Sequence, residues 1–179
     1  MIKKILLHFY TITKHRHLVM NLCFKVGLYK QGMLHDLSKY SFTEFFNSVK
    51  YYTGTKSPIS LERQNKGYSI VFLHHKGHNK HHWEYWFVPY TKNRHTSMPD
   101  KYLIESILDR IAAAKVYLKD KYTNSSPYEY FLNDVEITNY MLKDEYDRYA
   151  YLLLYLKEYG ENKLLEHLKE IIKREYIIK

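Results

Sequence analysis

The nine residues from His74 to His82, HHKGHNKHH, hold five of the chain's eleven histidines. Neutral imidazole is the commonest metal ligand among side chains. Divalent-metal binding is therefore the first chemistry this window suggests. A His-Asp doublet, His35-Asp36, lies well upstream and could come close in a compact fold. His15 shares a helical face with Ile12, Val19 and Leu22, which directs it inward. Alone it would read as a hydrogen-bonded core histidine. Asp109 is followed on its own face by Ala112, Ala113 and Val116. A carboxylate there is costly to bury unpaired. A cation would remove that cost, and so would Arg110 or a surface position. Cys23 is the single cysteine. It allows no intramolecular disulfide, and without a CxxC pair there is no zinc ribbon, so any ligands must be nitrogen and oxygen.

Helices must position these residues, because almost every periodic segment reads as helix. The first spans about Ile2 to Val26 and ends at Gly27. A short helical piece, LYKQGMLHD, carries His35 and Asp36. Ser41 and Glu44 form a capping box that opens a helix to about Tyr52. Gly54 to Asn65, polar and containing Pro58, reads as a loop. YSIVFLHH reads as a helix ending near Gly77, and Asn79 could cap a further turn carrying His81, His82 and Trp83. Pro89 to Ser97 is a loop. Pro99 opens a helix running to about Tyr122, and Ser126-Pro127 opens a short one. Two amphipathic helices, about Ile137 to Tyr159 and Glu161 to Tyr176, meet at Gly160. The expectation is an all-α bundle: a metal-binding helical domain over 1–135 and a C-terminal extension over 136–179 packed on it. Ligands would come from four or five helices meeting in one cleft.

Composition bounds the partners. The 179 residues carry a formal charge of +9 and a pI near 9.3. That favours an anionic partner such as a nucleotide, a phosphorylated metabolite or nucleic acid, or marks only a solvated lysine-rich surface. No apolar run approaches the ~20 residues of a membrane span. The start reads as a helix rather than a signal peptide, so a cytoplasmic protein that avoids membranes is expected. The twenty tyrosines lie mostly in helical patterns and suit core-edge packing. His8, His17, His95 and His167 have no partner pattern. Glu44, Glu62 and Glu84 are further possible ligands or bases.

The order His15, His35-Asp36, further histidines, then Asp109 resembles the HD-domain superfamily of metal-dependent phosphohydrolases. HDLSK, with Lys39 three residues after the aspartate, is similar to that superfamily's HD-x-G-K variant, with Ser38 in place of glycine. His74, His75, His81 and His82 resemble the extra histidines of members that hold two metals. Over about Met1 to Leu132 the chain also resembles a family of small bacterial and phage proteins of unknown function. GLYKQGMLHDLSKYS, GYSIVFLHHKGHNKHHWEYW and DRIAAAKVY carry that likeness. The family pattern has arginine where this chain has His78. Some of its members are labelled catalases, but no haem-ligand context is present here.

The resemblance implies one ion on His15, His35, Asp36 and Asp109, and a second on the paired histidines with Asp36 bridging. Such mixed ligands suit Mn, Fe, Co, Ni or Zn better than Ca. Lys39 and Asp36 would be catalytic, and Lys39, Arg16, Lys80 and Arg110 could bind phosphate. Adjacent helical residues point about 100° apart, so which histidine of each doublet binds stays open. The expected activity is hydrolysis of a nucleotide or other small phosphate ester. The alternatives are a di-iron oxygenase, or a helical nucleic-acid- or protein-binding module with a structural metal. The substrate and oligomeric state are not fixed by sequence.

Overall fold

The computed structural model describes residues 1–90, 92, 94–134 and 141–177. The described residues form eight α-helices and no strand, and Phe87 and His95 make an isolated antiparallel bridge. Helix α1 (Ile2–Val26) ends at Gly27, whose φ of 89° is a left-handed cap that glycine adopts without strain. Helix α2 (Tyr29–Leu34) then doubles back along α1. A Cβ on Gly32 would stand 2.9 Å from Cys23 Cβ and 3.2 Å from the Met20 backbone. Only glycine allows α2 to lie this close to α1.

Helix α3 (Phe42–Tyr51) opens at Ser41, whose hydroxyl accepts from Glu44 N at 3.3 Å. This is half of the expected capping box, because the Glu44 side chain is used elsewhere. The stretch read as a loop is helix α4 (Pro58–Lys66). Pro58 sits in its first turn, where its missing N–H costs nothing. Helix α5 (Ile70–His78) starts at Ser69, which accepts from Phe72 N at 3.0 Å. Helix α6 (Asp100–Leu118) begins after Pro99 and ends earlier than expected, running into a 3-10 turn at Lys119–Lys121. Helix α7 (Ser126–Leu132) is short. Helix α8 (Lys143–Ile177) is broken at Gly160 (φ 82°, ψ 170°), which keeps the two expected arms distinct. The expected start at Ile137, and the proposed boundary near 135, lie outside the described residues.

The core is one cluster. Val19, Leu22, Cys23 and Val26 of α1 meet Leu103, Ile104, Ile107, Leu108 and Ile111 of α6, and Tyr149, Leu153, Leu156, Leu164 and Leu168 of α8 cover them. At roughly 25 cal/mol per Å2 of apolar surface removed from water, this burial is the main source of rigidity around α1 and α6. Glu105 and Asp109 lie one turn apart on α6, and His15 lies one turn before Val19 on α1. These polar positions therefore sit on helices that the core already fixes. No described helix is long and apolar enough to cross a membrane.

Candidate metal centre

His15 is buried on the inner face of α1. The His35-Asp36 doublet is not on a helix, contrary to expectation. His35 is extended at the end of α2, and Asp36 has a φ of 55° before the 3-10 turn Leu37–Tyr40. Non-glycine residues pay about 1–2 kcal/mol for that region, and aspartate is among the few that enter it. The break has a use: a straight helix would point the two side chains about 100° apart, whereas here His35 Nε2 and Asp36 Oδ2 are 3.3 Å apart. Helix α5 supplies His75, the turn after it supplies His81 and His82, and α6 supplies Asp109.

Four imidazoles aim Nε2 at the two aspartates. His15 Nε2 is 2.9 Å from Asp109 Oδ1 and 3.5 Å from Asp36 Oδ2. His35 Nε2 is 3.6 Å from Asp109 Oδ1. His75 Nε2 is 3.3 Å, and His81 Nε2 3.6 Å, from Asp36 Oδ1. His81 Nε2 is also 3.7 Å from Asp109 Oδ2. The outward nitrogens behave differently. His75 Nδ1 is 2.8 Å from Glu44 Oε2, and His35 Nδ1 is 2.8 Å from Glu105 Oε1. His81 Nδ1 is 3.2 Å from the same Glu105 oxygen.

These distances separate two kinds of contact. The outward ones have hydrogen-bond length. Most inward ones are longer, and ligands around an ion with bonds of about 2.0–2.2 Å stand roughly 3–3.5 Å apart. His15 Nε2, His35 Nε2, His81 Nε2, His82 Nε2 and both Asp36 oxygens are buried without an aligned hydrogen-bond partner. They make up six of the eleven such atoms among the described residues. Polar atoms without aligned partners are expensive when buried. Lys39 Nζ, 2.5 Å from Asp36 Oδ2, and Asp109 Oδ1, 2.9 Å from His15 Nε2, offset part of that cost, and a cation among the six could offset the rest.

Two sets of donor atoms can hold an ion across the whole ligand series: His15, His35, Asp36 and Asp109, and His75, His81 and His82. A third grouping, His35, His81 and Glu105, uses the hydrogen-bonding carboxylate. Carboxylates that accept from metal-binding imidazoles fix tautomer and ring orientation, and that is the geometry of Glu105 and Glu44.

The cluster's histidines and carboxylates by themselves hold one another's charges. Burial alone would raise the Asp36 carboxyl, but the His35, Lys39 and His75 charges outweigh it and hold it well below the usual range. Asp109 is likewise pushed up by burial and pulled well below by His15 and His35. Burial opposes charge on His35, yet Asp36 drives its imidazole well above the ordinary value. His82, with no carboxylate this close, is held well below by burial and by the His81 and His75 charges. For Glu105, burial pushes up while hydrogen bonds from His35 and His81 bring the net shift down.

Not every expected residue joins the cluster. His74 turns outward, with Nδ1 2.7 Å from Glu44 Oε1 and its ring stacked on His78 at 4.1 Å. One turn of geometry decides this: α5 can bury only one member of the doublet, and buries His75. Lys39 is in place, with Nζ 2.5 Å from Asp36 Oδ2 and a quarter of the side chain exposed. The three other proposed phosphate ligands are engaged elsewhere. Arg16 donates to the backbone carbonyls of His35 and Met33 and so pins the doublet. Arg110 donates to the Tyr149 hydroxyl at 3.1 Å and lies over the Tyr130, Phe131 and Tyr149 rings. Lys80 lies over the Tyr85 and Tyr102 rings.

Glu105 was missed in the sequence. Its signal was its place one turn before Asp109 on an otherwise apolar face. Of the three glutamates expected as further ligands or bases, Glu44 accepts from His74 and His75, and Glu62 supports the start of α5 through Ser69 Oγ and Val71 N. Glu84 Oε2 is buried 3.9 Å from His82 Nδ1.

Fold and site define an all-helical chain with a buried histidine–carboxylate cluster. The chain belongs to the family of unknown function DUF5662, which matches residues 4–151 and so contains every residue of the cluster. No curated protein and no solved structure matches it.

Proposed function

We propose that this chain is a metal-dependent phosphohydrolase acting on a nucleotide or another small phosphate ester. The observation that carries this reading is the convergence of imidazole and aspartate atoms without aligned hydrogen bonds, beside a charged lysine that ion-pairs with Asp36. The HD-like order of His15, His35-Asp36 and Asp109 supports it. Bound there, one or two ions of Mn, Fe, Co, Ni or Zn would supply a Lewis acid and an acidified water. Asp36 faces both ligand sets, one oxygen toward each, which supports a role for it in holding either ion.

Lys39 supplies the anion contact. Burial opposes its charge, but Asp36 raises its pKa and keeps it an ammonium. Its exposed part and that of Asp109 mark the open side of the cluster. An ammonium there binds a phosphoryl oxygen as a point charge. Glu44 and Glu105 keep the outward nitrogens occupied, so the inward lone pairs stay available.

The test has two stages. Elemental analysis of untagged protein should show one or two equivalents of a transition metal, absent from Asp36→Ala. The loaded protein should then hydrolyse at least one member of a phosphomonoester, phosphodiester and nucleotide panel, and Lys39→Met should keep its metal while losing turnover. A fully loaded protein inert across the panel sinks the proposal. Retained iron with substrate-dependent oxygen consumption would point to a di-iron oxygenase. Salt-dependent nucleic-acid binding that survives loss of His35 and Asp36 would point to a binding module.

A further inference from the structure

Glu105 offers one oxygen to two histidines. Its Oε1 lies 2.8 Å from His35 Nδ1 and 3.2 Å from His81 Nδ1. The rings are neighbours, with centroids 4.5 Å apart and planes tilted by 32°. Two of the three ligand sets divide them: His35 goes with His15, Asp36 and Asp109, and His81 with His75 and His82, while the third set joins both to Glu105 itself. Glu44, by contrast, reaches only one member of either set, His75. Its other oxygen goes to His74, outside both.

We propose that Glu105 is a positioning residue that couples the two metal positions, so that filling one prepares the other. This rests on the two-ion reading of the site. A histidine that donates from Nδ1 to a carboxylate presents its Nε2 lone pair inward. An ion on His35 fixes that ring and, through it, the shared oxygen. The same oxygen is the acceptor for His81 Nδ1, so the His81 ring is already oriented when the second ion arrives. The coupling is reciprocal, as any binding coupling must be. Glu105 is well placed for this role. It is buried on α6, the helix most embedded in the core, and one turn from Asp109, which faces His15, His35 and His81.

The test is a chelator titration of the full chain loaded with Co(II), followed by visible absorption and by metal content. Three proteins are compared: wild type, Glu105→Gln and Glu44→Gln. The glutamine variants keep side-chain volume, and far-UV circular dichroism checks that helix content is unchanged. Wild type should hold two equivalents and release them together over a narrow chelator range. Glu105→Gln should weaken both equivalents by about 10–100-fold, the usual effect of losing a ligand's hydrogen-bonding partner. Glu44→Gln should weaken one and leave the other. If Glu105→Gln weakens only one equivalent, or neither, the coupling is overturned while the two-ion site stands. A wild type that holds fewer than two equivalents overturns both. If Glu105→Gln loses helix content, Glu105→Asp takes its place, and retention of the wild-type release profile in that variant overturns the coupling.

Discussion

Glu62 and Asp36 are both almost completely buried, but their surroundings treat them in opposite ways. Glu62 accepts from Ser69 Oγ at 2.6 Å, Val71 N at 3.3 Å and Lys66 Nζ at 3.0 Å. Every donor is aligned, and together they tie the end of α4 to the start of α5. Neither Asp36 oxygen has an aligned donor, although His15, His35, His75, His81 and Lys39 stand around it. A carboxylate whose role is structural is saturated by the chain itself. Asp36, apart from its ion pair with Lys39, keeps lone pairs that a cation could take, and its neighbours do the same. Burial and charge are shared by the two sites, and the alignment of the donors is what differs.

The sharpest way to break this contrast is Asp36→Asn. Asparagine tolerates the left-handed backbone and keeps the shape, so the fold should survive. Metal content should fall from one or two equivalents to none. Added metal should raise the melting temperature of wild type by mass action and leave the variant unmoved. Full metal retention in the variant would remove the distinction between the two carboxylates.

Glu62→Ala should do the reverse. Leaving Ser69 Oγ and Val71 N without their acceptor costs about 3 kcal/mol, seen as a fall of roughly 6–12 °C in melting temperature. Metal content should not change.

His8 tests whether an orphaned buried nitrogen is by itself a metal signature. Its Nδ1 is buried without a partner, like the cluster atoms, but it packs against the Phe45 and Tyr52 rings. Burial, with smaller pushes from Lys39 and Lys4, lowers its pKa from 6.5 to about 4. The unfolded chain therefore binds the proton more readily, and this contribution to stability is lost as pH falls from about 6.5 toward 4. The expected loss is about 2 kcal/mol between pH 7 and 5. Denaturant midpoints at the two pH values should show it, and the His8→Phe slope should be flatter by that amount. An equal slope in both proteins would refute the assignment.

Arg110→Lys should have the smallest effect, about 1 kcal/mol from loosened stacking on Tyr130, Phe131 and Tyr149. Metal content and substrate KM should be unchanged. A raised KM would return Arg110 to the anion contacts expected from its neighbour Asp109.

The sequence made the site legible where chemistry is written in residue type. Imidazoles at His75, His81 and His82, the His35-Asp36 doublet and Asp109 all stood out, and all converge. The sequence hid what depends on rotation about a helix axis. Arg16 and Arg110 lie next to candidate ligands in sequence, but each points along its own direction, to backbone carbonyls and to aromatic rings. Glu105 is the complementary case. It is four residues from Asp109 and therefore on the same face, yet an isolated glutamate in a helix is ordinary, and only the facing Nδ1 atoms reveal its use. The fold followed the same division. The long helices are plain from their apolar periodicity. Helix α4 is hard to see in the sequence because it is mostly polar and because Pro58, a first-turn residue here, resembles a helix breaker. The doublet was placed on a helix because residue type says little about a single left-handed φ.

The ligands are spread widely along the chain, and that has a consequence for how the molecule comes apart. An ion held by His15, Asp36 and Asp109 would tie residue 15 to residue 109 in a chain with no disulfide. In loop-closure terms such a tie removes unfolded-state entropy worth on the order of 3–5 kcal/mol. The tie would span α1 through α6, and the arms of α8 lie outside the closed loop. With the ion in place, thermal opening and proteolysis should begin at the C-terminal helix, and chelation should allow both to start anywhere along the chain.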